Sequence, residues 1–278
     1  MFQVLAENLA FPEGALWSAR DGCLYLVEWL GDRVLALRGR RLETVFNTPH
    51  AGGPSGLGQD VAGNFWVCLY TGLQLVQFSP AGEVMYTVKD FQGVPFRGPN
   101  DLVMDAEGGV YFSDGGNFTD DWVSGRPAGA VYHLTAQGDL RQVDRNLCYP
   151  NGMALSLDGH YLLVNEHRQN RTRKYRILAD GTCAAEGIFH TFDDACLLEP
   201  EAAFELGPDG MGLDEAGRLW VAHYGGGKVV GLNPDGQVAR TLHLPEGRKP
   251  TNVAYHPGEK VLYITEAELG LLYRAEID

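Results

Sequence analysis

A tripeptide of the form Pro-X-Y recurs six times in this chain of 278 residues, and several of its X residues can bind a cation or a substrate. The six opening tripeptides are Pro12-Glu13-Gly14, Pro54-Ser55-Gly56, Pro99-Asn100-Asp101, Pro150-Asn151-Gly152, Pro208-Asp209-Gly210 and Pro250-Thr251-Asn252. Successive X residues lie 42 to 58 residues apart, which is typical of the blades of a β-propeller.

Three of the X residues predict a metal site. The innermost strands of a propeller line its central channel, so their first residues surround one mouth. We therefore expect Glu13, Asn151 and Asp209 to lie close together although they are far apart in sequence. Two carboxylates and an amide oxygen are hard donors that neutralise a divalent cation and leave positions open for water and substrate. Ca²⁺ is favoured, with Mg²⁺, Mn²⁺ or Zn²⁺ as alternatives.

A purely structural interpretation of the same residues is that Asn, Asp and Ser stabilise tight turns through their side chains. This interpretation explains Ser55 well. It explains Glu13 poorly, because Glu is a weak turn residue and a buried, unpaired carboxylate is costly. The metal site is therefore the preferred interpretation.

The pattern between the opening tripeptides indicates strands throughout. Each tripeptide begins an apolar strand, which is followed by a Gly- or Asp-containing turn and a second strand with an aromatic residue, as in 24–27, 65–68 and 219–222. Third and fourth strands follow in most repeats, but the sixth repeat lacks its fourth, and we expect residues 2–6 to supply it. The predicted fold is all-β: a single six-bladed β-propeller domain over 1–278, with the N-terminal strand closing the last blade. A β-sandwich is the rival fold.

Composition restricts the partners. The net charge of −14 and the pI near 4.9 argue against nucleic acid and anionic membranes, and no apolar run is long enough to span a membrane. Residues 1–7 show no signal segment, so we expect a cytoplasmic protein. The five cysteines are scattered, which favours free thiols. A small molecule is the expected partner, and the oligomeric state is left open.

The opening tripeptides and their surroundings also resemble a known family. Segments 11–14, 99–103, 111–114, 150–154 and 208–211 are similar to motifs of the senescence-marker-protein/gluconolactonase/luciferin-regenerating-enzyme-like family, and the resemblance extends over essentially the whole chain. It implies a six-bladed propeller that hydrolyses sugar lactones with one divalent metal ion. Glu13, Asn151 and Asp209 match the metal ligands, and Asp209 also matches the proposed general base. Asn100 matches an amide that contacts substrate or metal.

The resemblance has one local departure. Many relatives place a sugar-binding Arg two residues before the amide, whereas Arg97 stands three residues before Asn100. We expect Arg97, Asn100 and Asp114 to contact substrate hydroxyl groups. The expected reaction is the opening of a lactone ring, with Asp209 accepting a proton from the attacking water. The alternatives are a metal-dependent phosphotriesterase that resembles diisopropyl fluorophosphatase, with Asn100 as a fourth ligand, and a non-catalytic metal-binding propeller.

Further residues are expected around the same mouth because a second strand ends beside the start of the first. They are Glu28, Asp114, Asn165, His223 and Glu266. For His223, a structural hydrogen-bonded role is preferred over proton transfer. The segment 115–127 is too long for a propeller turn, and we expect it at the active mouth as a lid that carries Asn117, Phe118 and Trp122.

Overall fold

The computed structural model describes residues 1–192 and 205–277, and it confirms the six-bladed β-propeller. Six four-stranded antiparallel sheets surround one axis, and each sheet begins at an opening tripeptide or one residue before it. From the inner to the outer strand, blades 1 to 3 are Pro12–Ser18, Cys23–Glu28, Arg33–Arg38 and Arg41–Asn47; Pro54–Gln59, Phe65–Leu69, Gln74–Phe78 and Val84–Val88; Pro99–Met104, Val110–Asp114, Gly129–Leu134 and Leu140–Leu147. Blades 4 to 6 are Pro150–Leu155, Tyr161–Glu166, Arg171–Ile177 and Cys183–Thr191; Gly207–Leu213, Leu219–Tyr224, Lys228–Leu232 and Val238–His243; Pro250–His256, Val261–Glu266, Leu271–Glu276 and Phe2–Ala6.

The N-terminal strand closes the ring, as the sequence predicts. Phe2–Ala6 pairs antiparallel with Leu271–Glu276. The ring of Phe2 packs edge-on against Tyr273 at 5.8 Å between centroids, so this outer strand is joined to the core by a side chain as well as by its backbone. Closure covers a sheet edge that would otherwise be free to pair with another chain.

Apolar residues of the second and third strands fill the spaces between blades. Tyr25 of blade 1 meets Phe65 of blade 2 in an edge-to-face contact at 4.9 Å, and both rings are buried. Trp220 of blade 5 is fully buried in a cluster that extends to blade 6. This explains why the middle of each second strand is aromatic or branched, because it fills the wedge between two neighbouring sheets.

Each inner strand has a register shift that begins within its opening tripeptide. Pro12 pairs with Glu28, for example, and regular pairing is interrupted between Glu13 and Leu16. Equivalent shifts occur in the other five blades. Such bulges bend a strand and re-aim its side chains, so the backbone is irregular at the residues of chemical interest.

Short elements of the described chain also lie outside the blades. A two-stranded ribbon joins Asp90–Phe91 to Val94–Pro95, and two helical turns span Phe118–Trp122 and His167–Gln169. No helix within the described chain has the length and apolar character needed to cross a membrane.

Four of the five cysteines, Cys23, Cys68, Cys148 and Cys183, are free thiols. The fifth, Cys196, lies outside the described residues.

The seam between blades 6 and 1 gives a stability prediction. The hydroxyl of Thr251 is fully buried, and its Oγ1 lies 2.7 Å from the carbonyl oxygen of Pro12 and 2.8 Å from Thr265 Oγ1. Thr251→Val keeps the shape of the side chain but leaves the carbonyl oxygen of Pro12 without this donor. We therefore expect the free energy of unfolding to fall by about 1–3 kcal/mol. Thermal denaturation measures the loss. Thr251→Ser, which keeps the hydroxyl, should lose clearly less, and equal melting temperatures for both variants would contradict the assignment.

Candidate active site

A pocket opens at the channel mouth where the inner strands begin, with about 460 Å³ of free space when the part open to solvent is included. The polar residues at its base are X residues of the opening tripeptides, namely Glu13, Ser55, Asn100, Asn151 and Asp209. The remaining wall, which we call the aromatic wall, consists of ring-bearing side chains: Phe11, Trp29, Tyr70, Phe118, Trp122, Tyr149, His167 and Tyr224. The structure thus brings together all four X residues for which the sequence predicts a metal or substrate contact.

Close packing of neighbouring inner strands holds the base together. A Cβ atom at Gly152 would collide with the carbonyl oxygen of Asp209, and one at Gly14 would collide with that of Ser55. Ser55 Oγ in turn donates a hydrogen bond to the carbonyl oxygen of Asn100 at 2.6 Å. Glycine after X therefore allows adjacent blades to approach closely, and this approach concentrates the X side chains in one small space.

The carboxyl group of Glu13 is strongly perturbed. Burial raises its pKa well above the ordinary value, and repulsion from Asp209 and then Asp101 raises it further. A hydrogen bond from the backbone N–H of Gly14 opposes these effects. A carboxylate in this position is stable only if a positive charge compensates it.

Asp209 has the same environment and more support. Burial raises its pKa, as does repulsion from Asp101, while hydrogen bonds from the side chain of Asn151 and the N–H of Gly210 lower it. The side chain of Asn165 donates to the Asp209 carbonyl oxygen at 2.5 Å, which fixes the backbone at this point. Asp209 is thus the better-positioned carboxylate of the pair.

A third acid, Asp101, takes part in the same electrostatic cluster and was not among the expected site residues. Burial raises its pKa to about 7, although it accepts hydrogen bonds from the backbone N–H groups of Leu102 and Met153. Its position did carry a signal, because the third opening tripeptide has Asp where four of the others have Gly. Asp101 lines the channel on the far side of the base rather than the pocket.

The donor set at the base fits a hard divalent cation. Within 1–192 and 205–277, neither Glu13 nor Asp209 forms an ion pair with a basic side chain. The same described part of the chain holds no group of three or more His, Cys, Asp or Glu side chains arranged for a metal. The base has two such residues, and its further donors are the amides of Asn100 and Asn151. Two acids with two amides match the oxygen chemistry that Ca²⁺ and Mg²⁺ require.

Four of the carboxylates that end second strands form a repeated structural device. Each lies opposite its blade's opening proline and accepts a hydrogen bond from a backbone N–H one or two residues before that proline. The pairs are Glu28 with Ala10, Asp114 with Arg97, Glu166 with Cys148 and Glu266 with Lys249. These acids therefore fix the chain as it approaches each opening tripeptide, and Asn165 lies one residue before this position.

Arg97 and Asp114, the expected substrate contacts, are engaged elsewhere. Both carboxylate oxygens of Asp114 lie 3.1 Å from the Arg97 backbone nitrogen. The Arg97 guanidinium binds the fully buried carboxylate of Asp121 through Nε at 3.1 Å and through Nη2 at 2.5 Å. Neither residue is part of the pocket lining. Their contact with substrate stays a prediction, and the observed contacts favour positioning of the loop that follows Asp114.

That loop lies at the pocket mouth, where the sequence places it. Asn117 accepts hydrogen bonds from the N–H groups of Thr119 and Asp120 and caps the helical turn Phe118–Trp122. Phe118 and Trp122 stack at 4.4 Å between ring centroids and line the pocket. The turn therefore contributes part of the aromatic wall, and Asn117 supports it without lining the pocket.

Most of the aromatic wall was missed by sequence reasoning, yet it follows the repeat. Four of its members share one position in their blades. In each case the opening proline pairs with a residue of the second strand, and the next residue along the chain is the ring residue: Trp29, Tyr70, His167 or Tyr224. Phe11 and Tyr149 directly precede an opening proline, and both have φ near +58°. Non-glycine residues in the left-handed region are strained, and such strain concentrates at functional sites. Alignment of the six repeats by their prolines would have revealed these positions.

His223, the histidine that the sequence singled out, is a fully buried structural residue. Its Nε2 lies 2.8 Å from Asn170 Oδ1, and its ring packs against Phe192. The histidine on the pocket wall is instead His167.

The fold and the pocket together define a six-bladed propeller with an oxygen-donor site on its axis. Residues 11–268 match the model of the SMP-30/Gluconolactonase/LRE-like region, and the chain belongs to this family.

Individual relatives are distant. The chain is 24% identical to a gluconolactonase of Zymomonas mobilis over 95% of this chain and 78% of the relative. It is 26% identical to the diisopropyl-fluorophosphatase of Loligo vulgaris over 74% of this chain and 65% of the relative. The alignments to three of the matched relatives span 65%, 37% and 49% of their lengths, so this chain covers about half of such proteins. The structure of regucalcin from Agrobacterium tumefaciens, described as a calcium-binding protein, superimposes with a TM-score of 0.80 at 20% identity, covering 100% of this chain and 94% of that one.

The acid cluster predicts an unusual dependence of stability on pH. In the metal-free protein the pKa values of Glu13, Asp101 and Asp209 are raised, so the folded state retains protons that the unfolded chain releases above about pH 4. The contribution of this cluster to the free energy of unfolding must therefore fall as the pH rises above about 4. We expect the melting temperature in chelator to fall between about pH 5 and pH 8, and added Ca²⁺ to restore it. Scanning calorimetry measures both effects.

A matched pair of variants isolates the cluster from other titrating groups. Glu13→Gln removes one repelling acid and should flatten the pH dependence in chelator, whereas Glu215→Gln, on an exposed turn of blade 5, should leave it unchanged. Identical pH profiles for the two variants would show that the base does not hold repelling acids.

Proposed function

We propose that this protein is a divalent-metal-dependent hydrolase that opens a lactone ring to give a hydroxy acid. The observation that carries the proposal is the base of the pocket, where the buried Asp209, the half-buried Glu13 and two amides converge without a basic partner in the described chain. Membership of the gluconolactonase-like family and the named gluconolactonase relative support this reaction class.

The residues that would hold the ion are Glu13, Asn151 and Asp209, with Asn100 beside them at the base. When bound, such an ion supplies Lewis-acid polarisation of the lactone carbonyl and stabilises negative charge on its oxygen. Ca²⁺ is the ion we propose, since all the donors are oxygen atoms and none is Cys or His.

The protein's own groups supply the proton transfer. Asp209 accepts a proton from the water that attacks the carbonyl carbon, because its carboxylate faces the pocket and is held by Asn151. The ring C–O bond then breaks, and the ring oxygen takes up the proton that Asp209 had accepted, which gives the hydroxy acid. Asn100 orients the substrate, and the surrounding rings exclude bulk water from the base.

A phosphotriesterase is the second candidate function. It is favoured by the position of Asn100, which lines the base together with Asn151. With Glu13 and Asp209 they form a set of two acids and two amides that could bind a metal ion. A relative named diisopropyl-fluorophosphatase supports the same reading. Turnover of a δ-lactone and of a fluorophosphate under identical metal loading separates the two activities, and inactivity on both with retained metal binding would leave a non-catalytic metal-binding propeller.

Substitution of the proposed base tests the mechanism. We expect Asp209→Asn to lower kcat for a δ-lactone by roughly 10²–10⁴ at saturating metal, the usual effect of losing a general base. Glu215→Gln, on the turn that follows the same inner strand, should retain full activity. Metal binding is measured in parallel by calorimetry. Full turnover by Asp209→Asn with metal bound would show that another group accepts the proton.

A further inference from the structure

Ring-to-ring contacts run along the aromatic wall from Phe11 to Tyr224. Trp29 contacts Phe11 at 5.0 Å and Tyr70 at 5.9 Å between ring centroids, both in edge-on geometry. Phe118 reaches Trp29 at 6.2 Å and stacks on Trp122 at 4.4 Å. A ligand carbonyl held at the base must therefore place the rest of the molecule against ring faces and edges.

Several polar atoms near this wall are already engaged within the protein. The hydroxyl of Tyr70 donates to the carbonyl oxygen of Gly116 at 2.8 Å, and the hydroxyl of Tyr149 donates to that of Tyr70 at 3.0 Å. At the base, Ser55 Oγ donates to the carbonyl oxygen of Asn100 at 2.6 Å. These three hydroxyls form internal hydrogen bonds and are not presented to a ligand as free donors. The buried indole N–H of Trp29 has no hydrogen-bond partner within the described chain, so it is one donor of the wall that is not engaged in this way.

Basic side chains are held away from the pocket. Arg97 and Arg126 both bind the buried carboxylate of Asp121, and within the described chain no Lys or Arg lines the pocket. A sugar ring can stack on aromatic faces, but its hydroxyl groups need partners, and burying them without partners is costly. An alkyl or aryl group instead gains from contact with the same wall, by about fourfold in affinity for each methylene buried.

We infer that the substrate is a lactone with an apolar alkyl or aryl substituent, and not a polyhydroxylated sugar lactone. This inference rests on the proposed lactonase function and concerns the part of the substrate outside the reacting ring. The ring carbonyl lies at the base, and the substituent packs between Phe118, Trp122 and Trp29.

Three lactones with the same six-membered ring test the inference. They are δ-decalactone with an alkyl chain, unsubstituted δ-valerolactone, and glucono-δ-lactone with hydroxyl groups. With Ca²⁺ added, we expect kcat/KM above the buffer rate to be about 100-fold higher for δ-decalactone than for glucono-δ-lactone, with δ-valerolactone between them. A preference for glucono-δ-lactone would overturn the inference while leaving the lactonase function intact.

A variant of the wall shows whether the preference arises there. Phe118 is 41% exposed, so Phe118→Ala should fold normally. It should raise KM for δ-decalactone and so lower kcat/KM for this substrate about tenfold. The value of kcat/KM for δ-valerolactone should change less than twofold. Val123→Ala, which shortens an exposed apolar side chain next to the same helical turn but outside the pocket lining, is the matched control and should change neither. Equal losses on both lactones for Phe118→Ala would overturn the proposed contact.

Binding provides a readout that does not depend on turnover. Trp29 and Trp122 line the pocket, so a ligand against the wall should change their fluorescence. If none of the three lactones is hydrolysed, the proposed function fails, and the substrate preference is then judged by this titration. Saturable binding of δ-decalactone that is weakened by Phe118→Ala supports an apolar ligand, whereas equal or tighter binding of glucono-δ-lactone contradicts it.

Discussion

The repulsion among three carboxylates at the channel axis is the constraint on which this structure depends. Glu13, Asp101 and Asp209 come from three different blades, and closure of the ring places them around one axis. There, Asp101 raises the pKa of Asp209, and both raise the pKa of Glu13. A fold that only needed stability would place neutral residues there, because uncompensated charge in a protein interior is costly. The arrangement is physically reasonable if a cation, or the protons that replace it, completes the site.

The remaining structure can be understood as support for that cluster. Glycine after X lets neighbouring inner strands approach, and the bulge behind each opening proline sets where the X side chain lies. The carboxylates that end second strands, such as Glu28 and Glu166, hold the chain just before the opening tripeptide. Acids of two kinds therefore surround one mouth. Those that end second strands hold the chain before an opening proline, and Glu13 and Asp209 line the base of the pocket.

The sequence predicts the repeated framework well, because each blade carries its own signals in the proline, the following glycine and the aromatic second strand. The closing strand Phe2–Ala6 follows from a count of strands, and the convergence of Glu13, Asn151 and Asp209 follows from symmetry. Individual side-chain partners do not follow. The sequence predicts that Asp114 contacts substrate, whereas in the structure its carboxylate accepts hydrogen bonds from the Arg97 backbone nitrogen. The Arg97 side chain binds Asp121, twenty-four residues later in the chain. Such tertiary contacts depend on the path of one loop, which has no repeat to reveal it.

We propose that the propeller axis holds a divalent cation between Glu13, Asn151 and Asp209. The most direct measurement is a crystal structure of the protein grown with Mn²⁺, with anomalous diffraction used to locate the ion. We expect one strong anomalous peak at the base of the pocket, within about 2.0–2.6 Å of oxygen atoms from all three residues. A map with water alone at that position, or with the ion bound only at the protein surface, would contradict the account.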